Sequence, residues 1–194
     1  MITRSRLFVA FFGVLLATMG MGCVKPYTVM VQAAPDPFLG KTDFVVLPID
    51  YSGMHIGEKT EAEYLSEKKD SSAESFQGDK DAMNTNFIAS LAKGAQYSGI
   101  NVQPAAGVVS TFLIQPQVRF IEPGFYAAIV AHPSKVEMVV TISDQHGTVL
   151  DKIEVEHQTQ SGMFNPASGQ RLRSDADALG EYVAQYLIDR SKGN

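Results

Sequence analysis

The chain has 194 residues, a formal charge of −5 and one cysteine. The acidic balance argues against a nucleic-acid surface, which needs a basic patch to meet phosphate, and against electrostatic attraction to anionic lipid head groups. A single cysteine excludes an intramolecular disulfide, so the fold has to be held by its apolar core.

Arg4 and Arg6 precede an apolar run from Leu7 to Ala17, and small residues lead on to Gly22 and Cys23. A positive start, a short apolar run and small residues before a cut site make a secretory signal. The run is about half of the ~20 residues that a spanning helix needs, and no later segment approaches that length. The lone cysteine after small residues resembles a bacterial lipobox, with Gly20 where leucine is usual. That resemblance implies a diacylglyceryl group on the Cys23 sulfur and cleavage before it. Residues 1–22 are then a lipoprotein signal peptide, and the mature chain hangs from the membrane by its lipid. Stable anchoring takes more than one acyl chain, which a triacylated cysteine supplies. The rival reading is an ordinary signal peptide ending at Gly22, with Cys23 left as a free thiol. Val24 and Lys25 stand where an aspartate retains Gram-negative lipoproteins in the inner membrane, so the resemblance implies the outer membrane, facing the periplasm. Losing residues 1–22 removes two arginines and no acidic residue, taking the charge from −5 to −7 over 172 residues. That length suits one domain with a real core.

Residues 23–41 read as the lipidated N-terminus and a linker, because Pro35 and Pro37 disfavour both helix and central strand. A second reading of Tyr27–Val31 is an edge strand on the domain, which spans residues 42–194. Asp43–Asp50 is a near-continuous apolar run suited to a strand buried on both faces. Glu58–Lys69 is expected to form a short polar helix that Ser71 and Ser72 interrupt. A stronger helix starts at Asp79, with Met83, Phe87, Leu91 and Ala95 on one stripe and Gly99 as its stop.

Thr111–Ile121 alternates, with Phe112, Ile114, Val118 and Phe120 on one face and Gln115, Gln117 and Arg119 on the other. Pro116 hints at a bulge or an edge. Val136–Ser143 and Thr148–Gln158 form a β-hairpin around Asp144-Gln145-His146-Gly147, with glycine where a positive φ is needed. Ser161–Gly169 reads as a polar loop. The last helix is expected from Ser174, which with Asp177 resembles a capping box, and carries a Leu179, Tyr182, Val183, Tyr186, Leu187 stripe. These elements make an α+β fold: an antiparallel or mixed sheet of four to six strands with two helices on one face. The open face carries Gln115, Arg119, Glu137 and Glu154.

Catalytic and cofactor motifs are absent; no cofactor, metal site or catalytic residue is expected. His55, His132, His146 and His157 are spread out and read as solvated loop or strand-end residues. Asp144 is explained by its turn better than by an acid/base pairing with Asp151, and Asp43 and Asp50 by solvation of strand ends. The charge-free segment Pro123–Pro133 has two readings. It is a core strand, or it is an exposed apolar edge on which Phe125, Tyr126 and Ile129 meet a partner.

The Phe44-Val45-Val46-Leu47-Pro48 strand, the Val140–Leu150 hairpin and the closing amphipathic helix resemble a family of uncharacterised bacterial envelope lipoproteins. In pattern they are also similar to small α/β domains of periplasmic assembly proteins, namely the N-terminal domain of TolB and the curli secretion lipoprotein. What this implies is a non-enzymatic accessory or assembly role with an envelope protein partner. A small-ligand pocket between sheet and helices is the alternative, and an unrecognised hydrolase the third.

Overall fold

A computed structural model of the chain describes residues 25–106, 110–127 and 129–193. The expected signal peptide at 1–22 and Cys23 lie outside them. The described elements are β1 Thr28–Gln32, β2 Asp43–Val46, β3 His55–Ile56, β4 Lys59–Thr60, α1 Glu61–Ser66, α2 Asp70–Gln96, β5 Asn101–Pro104, β6 Phe112–Glu122, β7 Phe125–Ala127, β8 Val130–His132, β9 Ser134–Asp144, β10 Val149–Thr159 and α3 Ser168–Lys192. One mixed sheet has the order β1-β10-β9-β6-β2-β5, with β3 and β4 attached beyond β2 along β6. The fold is α+β as expected, with six strands on the main path.

Helices α2 and α3 lie side by side over the face formed by Ile114, Val118, Met138, Val140, Ile153 and Val155, all of which are buried. Buried residues recur at every third or fourth position: Phe76, Lys80, Met83, Phe87, Leu91 and Ala95 on α2, all apolar but Lys80, and Leu172, Ala176, Leu179, Val183 and Leu187 on α3. That spacing forms the stripe that a helix buries. The helices run in the same direction, since Arg173 reaches Asp79, Ser90 reaches Asp177 and Gly94 faces Ala184. A Cβ on Gly180 would stand 2.5 Å from the Phe87 carbonyl oxygen, so only glycine lets the two backbones come this close.

Four expectations change. Helix α2 starts at Asp70, nine residues before Asp79, and runs through Ser71 and Ser72. The cause is tertiary, because Phe76 is buried against Tyr64 (ring centroids 5.3 Å apart) and packing outweighs weak local propensity. Helix α3 starts at Ser168; Ser174 instead bonds back to the Gln170 carbonyl, and Asp177 accepts from Asn86 and Ser90 of α2. Pro116 is in a central strand, at a position where β6 meets its neighbour through carbonyls. The Asp50 amide donates to the Pro116 oxygen, 2.9 Å away, and no N–H is required there. The bulge lies at Arg119 instead, which turns Phe120 off the core face and puts Ile121 on it.

The fourth change concerns the linker. Tyr27–Val31 is the edge strand: β1 pairs antiparallel with β10 from Thr28↔Glu154 to Gln32↔Asp151. Beyond it, Arg190 clamps the Ala33–Pro37 segment. Its guanidinium donates to Asp36 (2.6 Å), to the Ala33 carbonyl (3.0 Å) and to Asp151 (2.7 Å), and the Ala33 amide donates to Asp151 (2.8 Å). The prolines keep this stretch out of regular structure but do not release it from the domain.

Candidate functional site

The site is built where the β6–β9 ribbon leaves the sheet. The register Glu122↔Lys135 continues without a slip into Phe125↔His132, Tyr126↔Ala131 and Ala127↔Val130. Strands β7 and β8 are therefore the projecting end of one long ribbon, broken only at Pro123-Gly124 and Pro133. Gly124 has φ +62°, and a Cβ there would lie 2.5 Å from the Pro133 carbonyl carbon. Glycine is required by both the dihedral and the space.

The core-strand reading of Pro123–Pro133 does not hold, because the segment is largely exposed. Phe125 is 50% exposed, Val130 56% and Ile129, at the turn, 96%. Tyr126 is half-buried, and the Phe125 ring stacks on His132 at 5.9 Å.

The sequence reading missed a second segment. The 161–169 loop is not simply polar, because Met163 is 73% and Phe164 91% exposed. Arg171 ties this loop to the root of the hairpin. Fully buried on α3, it donates to the carbonyls of Asn165 (2.9 Å), Pro166 (2.7 Å) and Pro123 (3.0 Å), while Ser168 donates to the Gly124 carbonyl (3.1 Å). The missed signal was compositional. No charged side chain occurs between Glu122 and Lys135 or between Glu156 and Arg171, and both gaps contain large apolar residues beside Gly and Pro.

Under this end, on the helix side of the sheet, the buried Asp175 carboxylate accepts from Ser134 Oγ (2.6 Å), Thr159 Oγ1 (2.6 Å) and faces His157 Nδ1 (2.9 Å). His157 is therefore a half-buried partner of a carboxylate, and not a solvated strand-end residue. The Ser-Asp-His composition does not make a nucleophile relay. A relay needs the imidazole between hydroxyl and carboxylate, whereas here Asp175 stands in the middle and Ser134 is fully buried. The arrangement satisfies polar groups at the foot of the sheet.

The remaining carboxylates resolve individually. Asp144 accepts from the amides of His146 (2.9 Å) and Thr148 (2.8 Å), and the Thr148 bond leads in holding its carboxyl below the ordinary value. Asp151 is far from it in role, buried against Arg190 and Tyr186; burial, with the Asp151 hydrogen bond second, drives the Tyr186 hydroxyl upward. Asp43 bonds to Thr42 and to Asn101 on β5, and Asp50 to Ser52 and to Gln117 on β6.

Among the described residues no helix is long and apolar enough to cross a membrane. No protein-family model matches the chain, and no curated protein matches it. Among solved structures it is similar to protein XCC0632 from Xanthomonas campestris, of family DUF330, at 12% identity and a TM-score of 0.52 over 86% of this chain and 94% of that one. The PelC dodecamer from Paraburkholderia phytofirmans aligns at 13% identity and a TM-score of 0.45, over 80% of this chain and 97% of that one. A minor lipoprotein from Acinetobacter baumannii aligns at 8% identity and a TM-score of 0.35, over 78% and 93%. At such identities the likeness to the Xanthomonas protein shows a shared fold, and nothing about what either protein does.

Proposed function

We propose that this chain is a non-enzymatic lipoprotein of the cell envelope, anchored through Cys23 in the outer membrane and facing the periplasm. Its α+β domain serves as an accessory or assembly factor and holds another envelope component on its apolar end. Phe125, Tyr126 and Ile129 contribute to that end, together with Val130, Met163 and Phe164. The observation that carries the reading is a charge-free ribbon end projecting from a closed core. Met138, Val140, Leu179 and Val183 between sheet and helices are each 0% exposed, so the layer that an apolar ligand would occupy is already filled by side chains. Exposed contiguous apolar groups on an otherwise charged surface mark contact sites.

The anchor is tested by fractionation: Cys23→Ala should move the protein from the membrane pellet to the soluble fraction, and retention in the pellet would sink it. The contact surface is tested with a photo-crosslinking amino acid at position 125 in intact cells. A protein or lipid adduct at 125 that a crosslinker at the solvent-exposed Gln115 does not form supports the site; equal or absent labelling of both classes at the two positions removes it.

A further inference from the structure

The folded linker has a consequence for where the domain sits. Lys25 is bound to the domain by an ion pair with Asp189 (3.3 Å). Tyr27 donates to the same carboxylate and packs edge-on against Tyr186, with ring centroids 5.0 Å apart. Only Val24 then separates Cys23 from Lys25, and two residue steps span at most ~7 Å. A lipid on Cys23 would leave the domain no spacer, and it would rest against the bilayer.

The strand pairing gives the direction. Because β1 is antiparallel to β10 and starts at Thr28↔Glu154, the chain before Thr28 heads toward the Thr159 end of β10. Lys25 and Pro26 accordingly line a surface hollow with Glu154 and Glu156. Thr159 pairs with Ser134, at the foot of the projecting ribbon. The backbone just before Thr28 therefore runs toward the end that carries Phe125, Ile129, Val130, Met163 and Phe164, while the Lys25 and Tyr27 side chains turn back to Asp189 near the C-terminal end of α3.

The charge pattern is what a bilayer would demand of that end. Placing a Lys, Arg or Asp side chain in hydrocarbon is costly even on the mildest scale, and both segments lack acidic and basic residues throughout. The β7–β8 backbone is paired with itself, which limits the polar groups that an interfacial depth would leave unsatisfied.

We infer that the component met by the apolar end is the lipid bilayer that carries the anchor, with Ile129, Met163 and Phe164 seated in its interfacial region. This rests on the reading of that end as the contact surface, and it names the occupant.

The chain has no tryptophan, so a single introduced one reports cleanly. Ile129→Trp and Phe164→Trp are made in the full chain, purified from membranes and reconstituted in phosphatidylethanolamine–phosphatidylglycerol vesicles with and without brominated acyl chains. Tyr97→Trp is the control. Tyr97 is 81% exposed at the C-terminal end of α2, and the parallel packing of α2 and α3 puts it at the opposite end of the domain. The expected result is blue-shifted emission and quenching by brominated lipid at 129 and 164, with neither at 97. No quenching at 129 and 164, or equal quenching at all three, overturns the inference and assigns the end to a protein partner or to non-specific adsorption. The mass of the N-terminal peptide from the same sample judges the anchor separately. An unmodified Cys23 would defeat lipidation, while the tryptophan readout would still decide whether the end touches lipid.

Discussion

Helix α3 carries a buried arginine near each end, and the two are held differently. Arg190 sits between the carboxylates of Asp151 and Asp36 and closes the Ala33–Pro37 segment onto the domain. Burial would lower its pKa, but Asp151, Asp36 and Tyr186 raise it on balance. Arg171 binds carbonyls and one hydroxyl. Burial lowers its pKa, with Asp175 opposing more weakly, and its Nε is buried without a partner. At one end the buried charges are thus paired with each other. The other is built from weaker charge–dipole bonds and presents apolar side chains to solvent. The difference separates a closure from the proposed contact surface.

Removing Arg190 should do the most damage. Arg190→Ala leaves Asp151 buried and uncompensated, which costs about 3–5 kcal/mol in urea unfolding. A loss under 1 kcal/mol would mean that the pair is no closure. Arg171→Ala should cost less, about 1–3 kcal/mol, because it orphans polar groups without stranding a charge. Its loss should fall on the amides between Pro123 and Pro133 and on that of Asn165 in hydrogen exchange, and uniform deprotection would contradict its local role.

The Tyr27 contact should respond to acid. Burial alone would raise the Asp189 carboxyl, but hydrogen bonds from Tyr27, Gln185 and Lys25 together hold it below its ordinary value. A depressed folded pKa contributes stability above the unfolded value, near about 4, and loses it as pH falls through the lower folded one. Asp189 is partly exposed, so the effect should be about 1 kcal/mol or less. The urea midpoint gap between wild type and Asp189→Asn should narrow between pH 7 and pH 3; a constant gap would show that the carboxylate charge is not what binds Tyr27. The smallest effect belongs to the contact surface: Ile129→Ser and Phe164→Ser should each shift stability by no more than about 0.5 kcal/mol, since both side chains already face solvent. A larger cost would make them core residues and remove the reason to read them as a site.

Half of the candidate site was legible in the residues. Phe125, Tyr126 and Ile129 stood out because their segment is apolar, free of acidic and basic residues and bounded by prolines. Met163 and Phe164 did not, since a loop rich in Gly, Asn and Ser reads as polar until its two large side chains are seen to have nothing to bury against. Phe120 was assigned to the wrong face because alternation counts residues, and the bulge at Arg119 adds one that the period cannot anticipate.

Where the physics is local, the sequence alone was sufficient. The β9–β10 hairpin follows from alternation around an Asp-x-x-Gly turn, and the α2 and α3 stripes from 3.6-residue periodicity. The α+β class follows from those elements, each needing an apolar face covered. The tertiary structure decided what depends on partners distant along the chain. It started α2 at Asp70 because Phe76 finds Tyr64. It turned a proline-containing linker into an edge strand and a clamp because Arg190, more than 150 residues away, supplies the charge that Asp36 and Asp151 need. It brought the 161–167 loop to the hairpin because one buried arginine holds carbonyls from both. Propensity and periodicity see only near neighbours, and these three outcomes were set by contacts that the folded chain alone creates.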